Sequence, residues 1–218
     1  MLHNKVKKPS KVQKRKEQFL VFVTGGSQPL DRSIEIYHPF QSPNSSTSIP
    51  PMQIGRMFHA VGVINQLLMI SGGRNRSLVP MQLKSMEIYS LKNDSWSFGP
   101  DMNERRQNAA FAVLGEAFYL CGGFNGFDYM ESCEYFHLKF NSWLFVAPME
   151  YKKSGATALI FNQQIYVLGG YNRDEMELAY VERFEPQTAK WSLLNSMNHR
   201  RTHFGAATDK ERLFCCGG

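Results

Sequence analysis

The chain has 218 residues, 43% of them hydrophobic and 13% aromatic, which is enough for a sizeable core and argues against disorder throughout. No apolar run approaches the ~18 residues of a membrane span, and the lysine-rich start lacks the apolar stretch of a signal peptide, so a cytoplasmic setting with no membrane partner is expected. The net charge of +6 sits in residues 1–17, with seven Lys/Arg and one Glu; the remaining 18 basic and 18 acidic residues cancel, which argues against nucleic acid as a partner.

Residues 1–17 read as a basic linker or tail, and KVQKRKE (11–17) lacks the apolar alternation of a first strand. From Gln18 onward, glycine pairs recur at Gly25-Gly26, Gly72-Gly73, Gly122-Gly123, Gly169-Gly170 and Gly217-Gly218, spaced by 47, 50, 47 and 48 residues. A fixed period of this length signals a repeat architecture. Each of Met52, Met102, Met149 and Met197 lies 20 residues before the next pair, and Tyr89, Phe136 and Phe184 are each followed seven residues later by Trp96, Trp143 and Trp191, the chain's only tryptophans. The copies divide as a partial unit 18–52, full units 53–102, 103–149 and 150–197, and a truncated unit 198–218.

The first unit departs from the pattern, because its tryptophan position is lost in the Pro/Ser-rich QSPNSSTSIPP, so its last strand is expected to be irregular or an edge. The fourth is the clearest. SGATALIF and QQIYVLGG flank the turn pair Asn162-Gln163, AYVERFEP alternates, and a turn at Pro186-Gln187-Thr188 leads to a strand around Trp191, making four short strands. At the far end, FGAAT (204–208) could complete the first unit, but LFCCGG (213–218) would then duplicate FLVFVTGG (19–26). The four cysteines, Cys121, Cys133, Cys215 and Cys216, lack metal-ligand spacing and read as reduced, mostly buried thiols.

The diglycine, the acidic-x-aromatic step (Glu87-Ile88-Tyr89, Glu134-Tyr135-Phe136, Glu182-Arg183-Phe184) and the tryptophan together resemble the kelch repeat, over residues 18–218. That resemblance implies an all-β propeller of four-stranded antiparallel blades around a channel, here incomplete, with about four blades of six. Glycines, aromatics and tryptophans are then expected to serve turns and inter-blade packing.

Candidate binding positions follow from what varies. The segment from the second glycine to the acidic residue runs 9, 14, 11 and 12 residues in successive copies on an otherwise constant scaffold, which is how recognition surfaces are built. Within these loops the candidates are Arg74, Asn75 and Arg76, then Phe124, Asn125 and Phe127, then Tyr171, Asn172 and Arg173, a mixture of arginine and aromatic residues suited to anchoring an interface. Arg56, Arg106, Lys153 and Arg201 recur four residues after each methionine. They are expected either to form a cationic rim for an acidic peptide or to pair with a carboxylate or carbonyl of the neighbouring blade. Two residues further on, Phe58, Asn108, Gly155 and His203 differ in every copy, as a specificity position would; Asn108 and His203 join the candidates.

No phosphate loop, nucleophile elbow or zinc motif is present, and His199 and His203 fall in a loop, so a binding function with no cofactor or metal is expected. The resemblance implies the substrate-recognition propeller of a kelch-like adaptor for a cullin-type ubiquitin ligase, reaching the cullin only if a BTB domain precedes Met1. The alternative it offers is an actin-binding, cytoskeleton-associated protein. The basic run KVKKPSKVQKRK resembles the junction before the first repeat in such adaptors.

Overall fold

The computed structural model describes residues 21–24, 32–37, 46–209 and 211–218, all of them in strands and connecting segments. The basic run at 11–17 lies outside the described residues. Among the described residues, five antiparallel sheets follow one another along the chain, with a sixth, two-stranded one inserted in the fourth. The first contains β1 (Val21–Thr24), β2 (Ile34–Tyr37) and β3 (Ser46–Ser48); the second β4 (Ala60–Ile64), β5 (Leu67–Ser71), β6 (Met86–Ser90) and β7 (Ser95–Phe98); the third β8 (Ala110–Leu114), β9 (Ala117–Cys121), β10 (Cys133–His137) and β11 (Ser142–Val146). The fourth begins with β12 (Thr157–Phe161) and β13 (Gln164–Leu168). A small hairpin, β14 (Tyr171–Asn172) with β15 (Met176–Glu177), precedes its last two strands, β16 (Val181–Glu185) and β17 (Lys190–Leu193). A final pair, β18 (Gly205–Thr208) and β19 (Leu213–Cys216), forms the fifth sheet.

The blades stack with their first strands innermost, since β4 packs on β8, β8 on β12 and β12 on β18. β18 pairs with β19 and not with the first sheet, so among the described residues the propeller is an unclosed arc. β3 is a three-residue edge strand, as the Pro/Ser-rich sequence suggests. The hairpin turns follow their residues: Asn65-Gln66 and Asn162-Gln163 take positive φ at both positions, the backbone twist that a two-residue hairpin loop requires.

The core lies between blades. Met69 and Met86 of the second blade meet Phe118, Phe136 and Trp143 of the third, and Tyr119 and Cys121 of the third meet Ile165, Val167 and Phe184 of the fourth. Second strands are therefore covered on both faces, and all five residues of β9 are buried, which explains why these strands read as continuous apolar runs. Cys121 and Cys133 sit opposite each other on β9 and β10 as buried free thiols, while Cys215 is half-buried and Cys216 exposed.

The repeated residues form the joints. Tyr89, Phe136 and Phe184 face Trp96, Trp143 and Trp191 across the last strand pair of each blade. Each indole Nε1–H then donates to the end of the preceding blade, to the carbonyl of Pro50 (2.8 Å), Pro100 (3.0 Å) or Ala147 (2.7 Å). The diglycines join each blade to the next: the N–H groups of Gly73, Gly123 and Gly170 donate to the carbonyls of Arg106, Lys153 and Arg201 at 2.7, 2.8 and 2.8 Å. A Cβ on Gly72 or Gly122 would stand 2.5 Å from those same carbonyls of Arg106 and Lys153.

The cationic rim is absent, which corrects the expectation for Arg56, Arg106 and Lys153. Their side chains are wholly enclosed and paired with the acidic residue of their own blade's third strand: Arg56 with Glu87 (2.7 Å), Arg106 with Glu134 (2.8 Å) and Lys153 with Glu182 (2.6 Å). Arg56 Nη1 also donates to the carbonyls of Gly72 and Ser85, and Arg106 Nη1 to those of Gly122 and Ser132. The carboxylates accept backbone N–H groups from the inter-blade connection, Gln53 and Ile54 on Glu87, Asn103 on Glu134, Glu150 on Glu182. These added hydrogen bonds offset part of the cost of burying the charges, most fully at Arg106 and Glu134, while Arg56 Nε has no hydrogen-bond partner and Lys153 and Glu182 rely on their 2.6 Å ion pair. Burial pulls the Arg56 pKa down, opposed by Glu87. Arg201 is half-buried and donates to the carbonyl of Gly217.

His59 ties the first sheet to the second through a 2.8 Å hydrogen bond between Nε2 and Thr24 Oγ1. Burial, with the nearby charge of Arg56, brings its imidazole down to a pKa of about 4.

Three outcomes are expected in urea denaturation. Gly115→Ala, where a Cβ meets nothing within 4 Å, loses the roughly 1 kcal/mol of a strained left-handed residue, whereas Gly122→Ala loses several-fold more because the carbonyl of Lys153 must move. Arg106→Met, which strands Glu134, lowers stability by about 3–5 kcal/mol, while Lys84→Met, at an exposed pair with Asp101, changes little. Because the fold holds His59 neutral, the unfolded chain binds the extra proton first as pH falls below about 6.5; stability drops from there to about pH 4, and His59→Gln flattens that slope.

Candidate functional site

The loops that follow the diglycines and the segments that follow the methionines come together at one end of the inner strands. Residues Phe58, Asn108, Gly155 and His203 build its floor. Asn108 N–H donates to the Phe58 carbonyl, Gly155 N–H to that of Asn108, and His203 N–H to that of Gly155, each at 2.9 Å, a relay that crosses three blade boundaries. All four have left-handed φ, at 57°, 53°, 63° and 52°. The position therefore varies in side chain and is constant in backbone. A Cβ on Gly155 would meet Thr202 Oγ1 and Tyr171 Cε1 at 2.8 Å, so a side chain there would require both of these side chains to shift.

Above this floor, the first residue after each diglycine is fixed by backbone bridges: Arg74 to Met57 and Gln82, Phe124 to Gln107 and Tyr129, Tyr171 to Ser154. The asparagines that come next shape the loops and are not presented to a partner, which corrects that part of the expectation. Asn75 Oδ1 accepts Ser77 N–H, Asn125 Oδ1 accepts Phe127 and Asp128 N–H, and Asn172 Oδ1 accepts Asp174 and Glu175 N–H. Asn75 and Asn172 also donate from Nδ2 to the carbonyls of Gly55 and Lys152. Such local bonds are the usual work of asparagine in turns.

The structure leaves Arg76, Phe127 and Arg173 exposed, with Phe127 reaching 86%. Arg74 is half-buried, its guanidinium 6.0 Å from the ring centre of Phe58. The aromatic candidates join into a track: Phe124 to Tyr129 (5.4 Å between ring centres), Tyr129 to Tyr171 (5.4 Å, edge to face) and Tyr171 to His203 (5.5 Å). Tyr129, absent from the sequence-based candidates, bridges blades three and four; it lies five residues before Glu134, as Gln82 lies before Glu87 and Glu177 before Glu182, and each of these residues pairs with the first residue after its blade's diglycine.

Some of the charges at the margin are paired. Lys152 Nζ lies 2.7 Å from Asp128, holding that carboxyl below its usual range, and Arg200 donates to the carbonyls of Glu175 and Glu177. Tyr180 donates to Glu175 and stacks on Tyr151 at 4.0 Å. Among the described residues no three His, Cys, Asp or Glu side chains are grouped to hold a metal ion.

Comparison with known proteins agrees with this geometry. A family model described as the Kelch motif matches residues 55–103, 105–150 and 152–198. Kelch-like protein 8 of Mus musculus is 36% identical over 74 residues, covering 34% of this chain and 11% of that protein. Kelch repeat and BTB domain-containing protein 2 of Ectromelia virus (strain Moscow) is 29% identical over 75 residues, 34% of this chain and 13% of the relative. Kelch-like protein 26 of Danio rerio is 32% identical over 111 residues, 48% and 18%. The chain thus spans less than a fifth of each of these relatives. The solved structure of YjhT superposes with a TM-score of 0.81 over 91% of this chain and 69% of that one, and at 15% identity the likeness is one of fold. With three registered motifs covering more than half of its residues, the chain belongs to the kelch-repeat family.

Proposed function

We propose that this chain captures a protein partner on the face formed by its diglycine loops, as the substrate-recognition propeller of a kelch-like adaptor for a cullin-type ubiquitin ligase. The observation that carries the binding role is the division of labour between repeats. Glycines, tryptophans and cation–glutamate pairs are spent on joints that are the same in successive blades, while the loops above the inner relay differ in length and display Arg76, Phe127, Tyr171 and Arg173. Exposed aromatic and arginine side chains held on a rigid scaffold are the residues that dominate protein interfaces. The names of the kelch-like and BTB-containing relatives support the adaptor role, as does the basic segment 1–17 at the position of a junction. Contact with a cullin would come from a BTB region preceding Met1 in the natural protein. A cytoplasmic location goes with this role and suits four free thiols.

Affinity capture from cells expressing the natural full-length protein tests both parts. Phe127→Asp is expected to lower recovery of the partner at least tenfold, and Lys92→Asp, in the exposed turn between β6 and β7 at the opposite end of the blades, to leave it unchanged. Recovery of a cullin with both variants supports the adaptor role. Partner capture that survives Phe127→Asp and is lost with Lys92→Asp would move the site to the other face, and a full-length protein that recovers no cullin would remove the ligase role while leaving the binding role standing.

A further inference from the structure

We infer that the loop face is electrically polarised and sets the direction of the segment it binds: carboxylate side chains of the partner lie on Arg74, Arg76 and Arg105 at the second blade, and the end without acids runs toward the fourth. This rests on the loop face being the partner site. One repeat position, three residues after the methionine, carries Arg105, Lys152 and Arg200, and each reaches back to the loop of the preceding blade. In blades three and four that loop answers with a carboxylate: Lys152 stands 2.7 Å from Asp128, and Arg200 stands 3.9 Å from Glu175. The second-blade loop has none to offer, since residues 74–83 contain two arginines and no Asp or Glu. Arg105 Nη1 rests instead on the Gln82 carbonyl at 3.1 Å, with no ion pair among the described residues.

The two loop arginines are unanswered as well. Backbone contacts order them: Arg74 is bridged to Met57 and Gln82, Asn75 N–H donates to the Met81 carbonyl at 2.8 Å, and Asn75 Oδ1 accepts Ser77 N–H. Arg74 is half-buried beside Phe58, its Nε is enclosed without a hydrogen-bond partner, and its guanidinium has no ion pair among the described residues. A cation drawn partly out of water without an acceptor costs free energy that an incoming carboxylate offsets, and a guanidinium can receive one through two parallel N–H bonds. Arg76 is exposed and equally unpaired among the described residues. Through Gln82, Arg105 brings a third cation to the same loop. Further round the face the sign reverses. Residues 124–131 hold Asp128 and Glu131 and no cation, and residues 171–178 set Asp174, Glu175 and Glu177 against the single exposed Arg173. An acid placed there meets mostly like charge, whereas at the second blade it meets cations alone. The end that repels fixes direction as much as the end that attracts.

Panning a phage-displayed random peptide library against the natural full-length protein tests this. Enriched sequences are expected to hold two or more Asp or Glu at one end. The synthesised consensus peptide is expected to bind roughly tenfold or more weakly to Arg76→Glu, whose thermal melt should match the parent, and to weaken as salt is raised. Arg173→Glu is expected to change its binding by less than about twofold; a loss there as large as that of Arg76→Glu would place the acids at the fourth blade and overturn the polarity. A photo-crosslinker at the acidic end should label loop 74–83, and one at the other end loop 171–178; the reverse labelling overturns the direction. Enriched sequences without Asp or Glu, indifferent to Arg76→Glu but lost with Phe127→Asp, would overturn the inference and keep the loop face as the site. Sequences indifferent to both and lost with Lys92→Asp would overturn the loop-face reading as well, and failure to enrich any sequence counts against the inference.

Discussion

A glutamate sealed inside each full blade holds the arrangement together. Glu87, Glu134 and Glu182 receive a cation from their own blade and backbone N–H groups from the strand-to-strand connection that enters it. A carboxylate in an apolar core is tolerable only when its charge is answered, and here the answering groups come from segments far apart in sequence. The pair therefore fixes where the connection lies, and with it the carbonyl of the cation's own residue, on which the second glycine of the preceding blade docks. Removing the acid would loosen both the blade and its neighbour.

The repeat was legible because its spacing is rigid. Met, Trp and diglycine hold one register along the chain, since each serves a joint whose geometry admits no insertion; a Cβ on Gly72 or Gly122 would strike a carbonyl. The direction of the cations was not legible. Arg56, Arg106 and Lys153 recur at a fixed distance from the methionines whether they point outward or inward, and their partners lie 28–31 residues on, past a loop of changing length. The signal was present in another form, since every full copy that carries the cation also carries the glutamate. The asparagines were misread for a related reason: Asn75, Asn125 and Asn172 lie in variable loops, yet they are the part of each loop that does not vary.

The loop face combines a constant backbone with inconstant side chains. The left-handed relay from Phe58 to His203 asks of each residue only that it tolerate the conformation, which glycine does easily, asparagine and histidine more readily than most residues, and phenylalanine at some cost. Strain at a surface of this kind is retained where the surrounding hydrogen bonds over-determine it. Tyr129 shows the limit of reading such a face from sequence, because the contact that makes it matter, with Tyr171 of the next blade, exists only once the blades are stacked.

Placing the apolar core between blades rather than within them has a consequence for how the molecule comes apart. Each sheet alone would present both faces of its second strand to water, so losing one blade strips the cover from its neighbour. The stack then behaves as a one-dimensional chain of coupled units, in which the interface terms, more than the intrinsic stability of any sheet, set the length over which unfolding spreads.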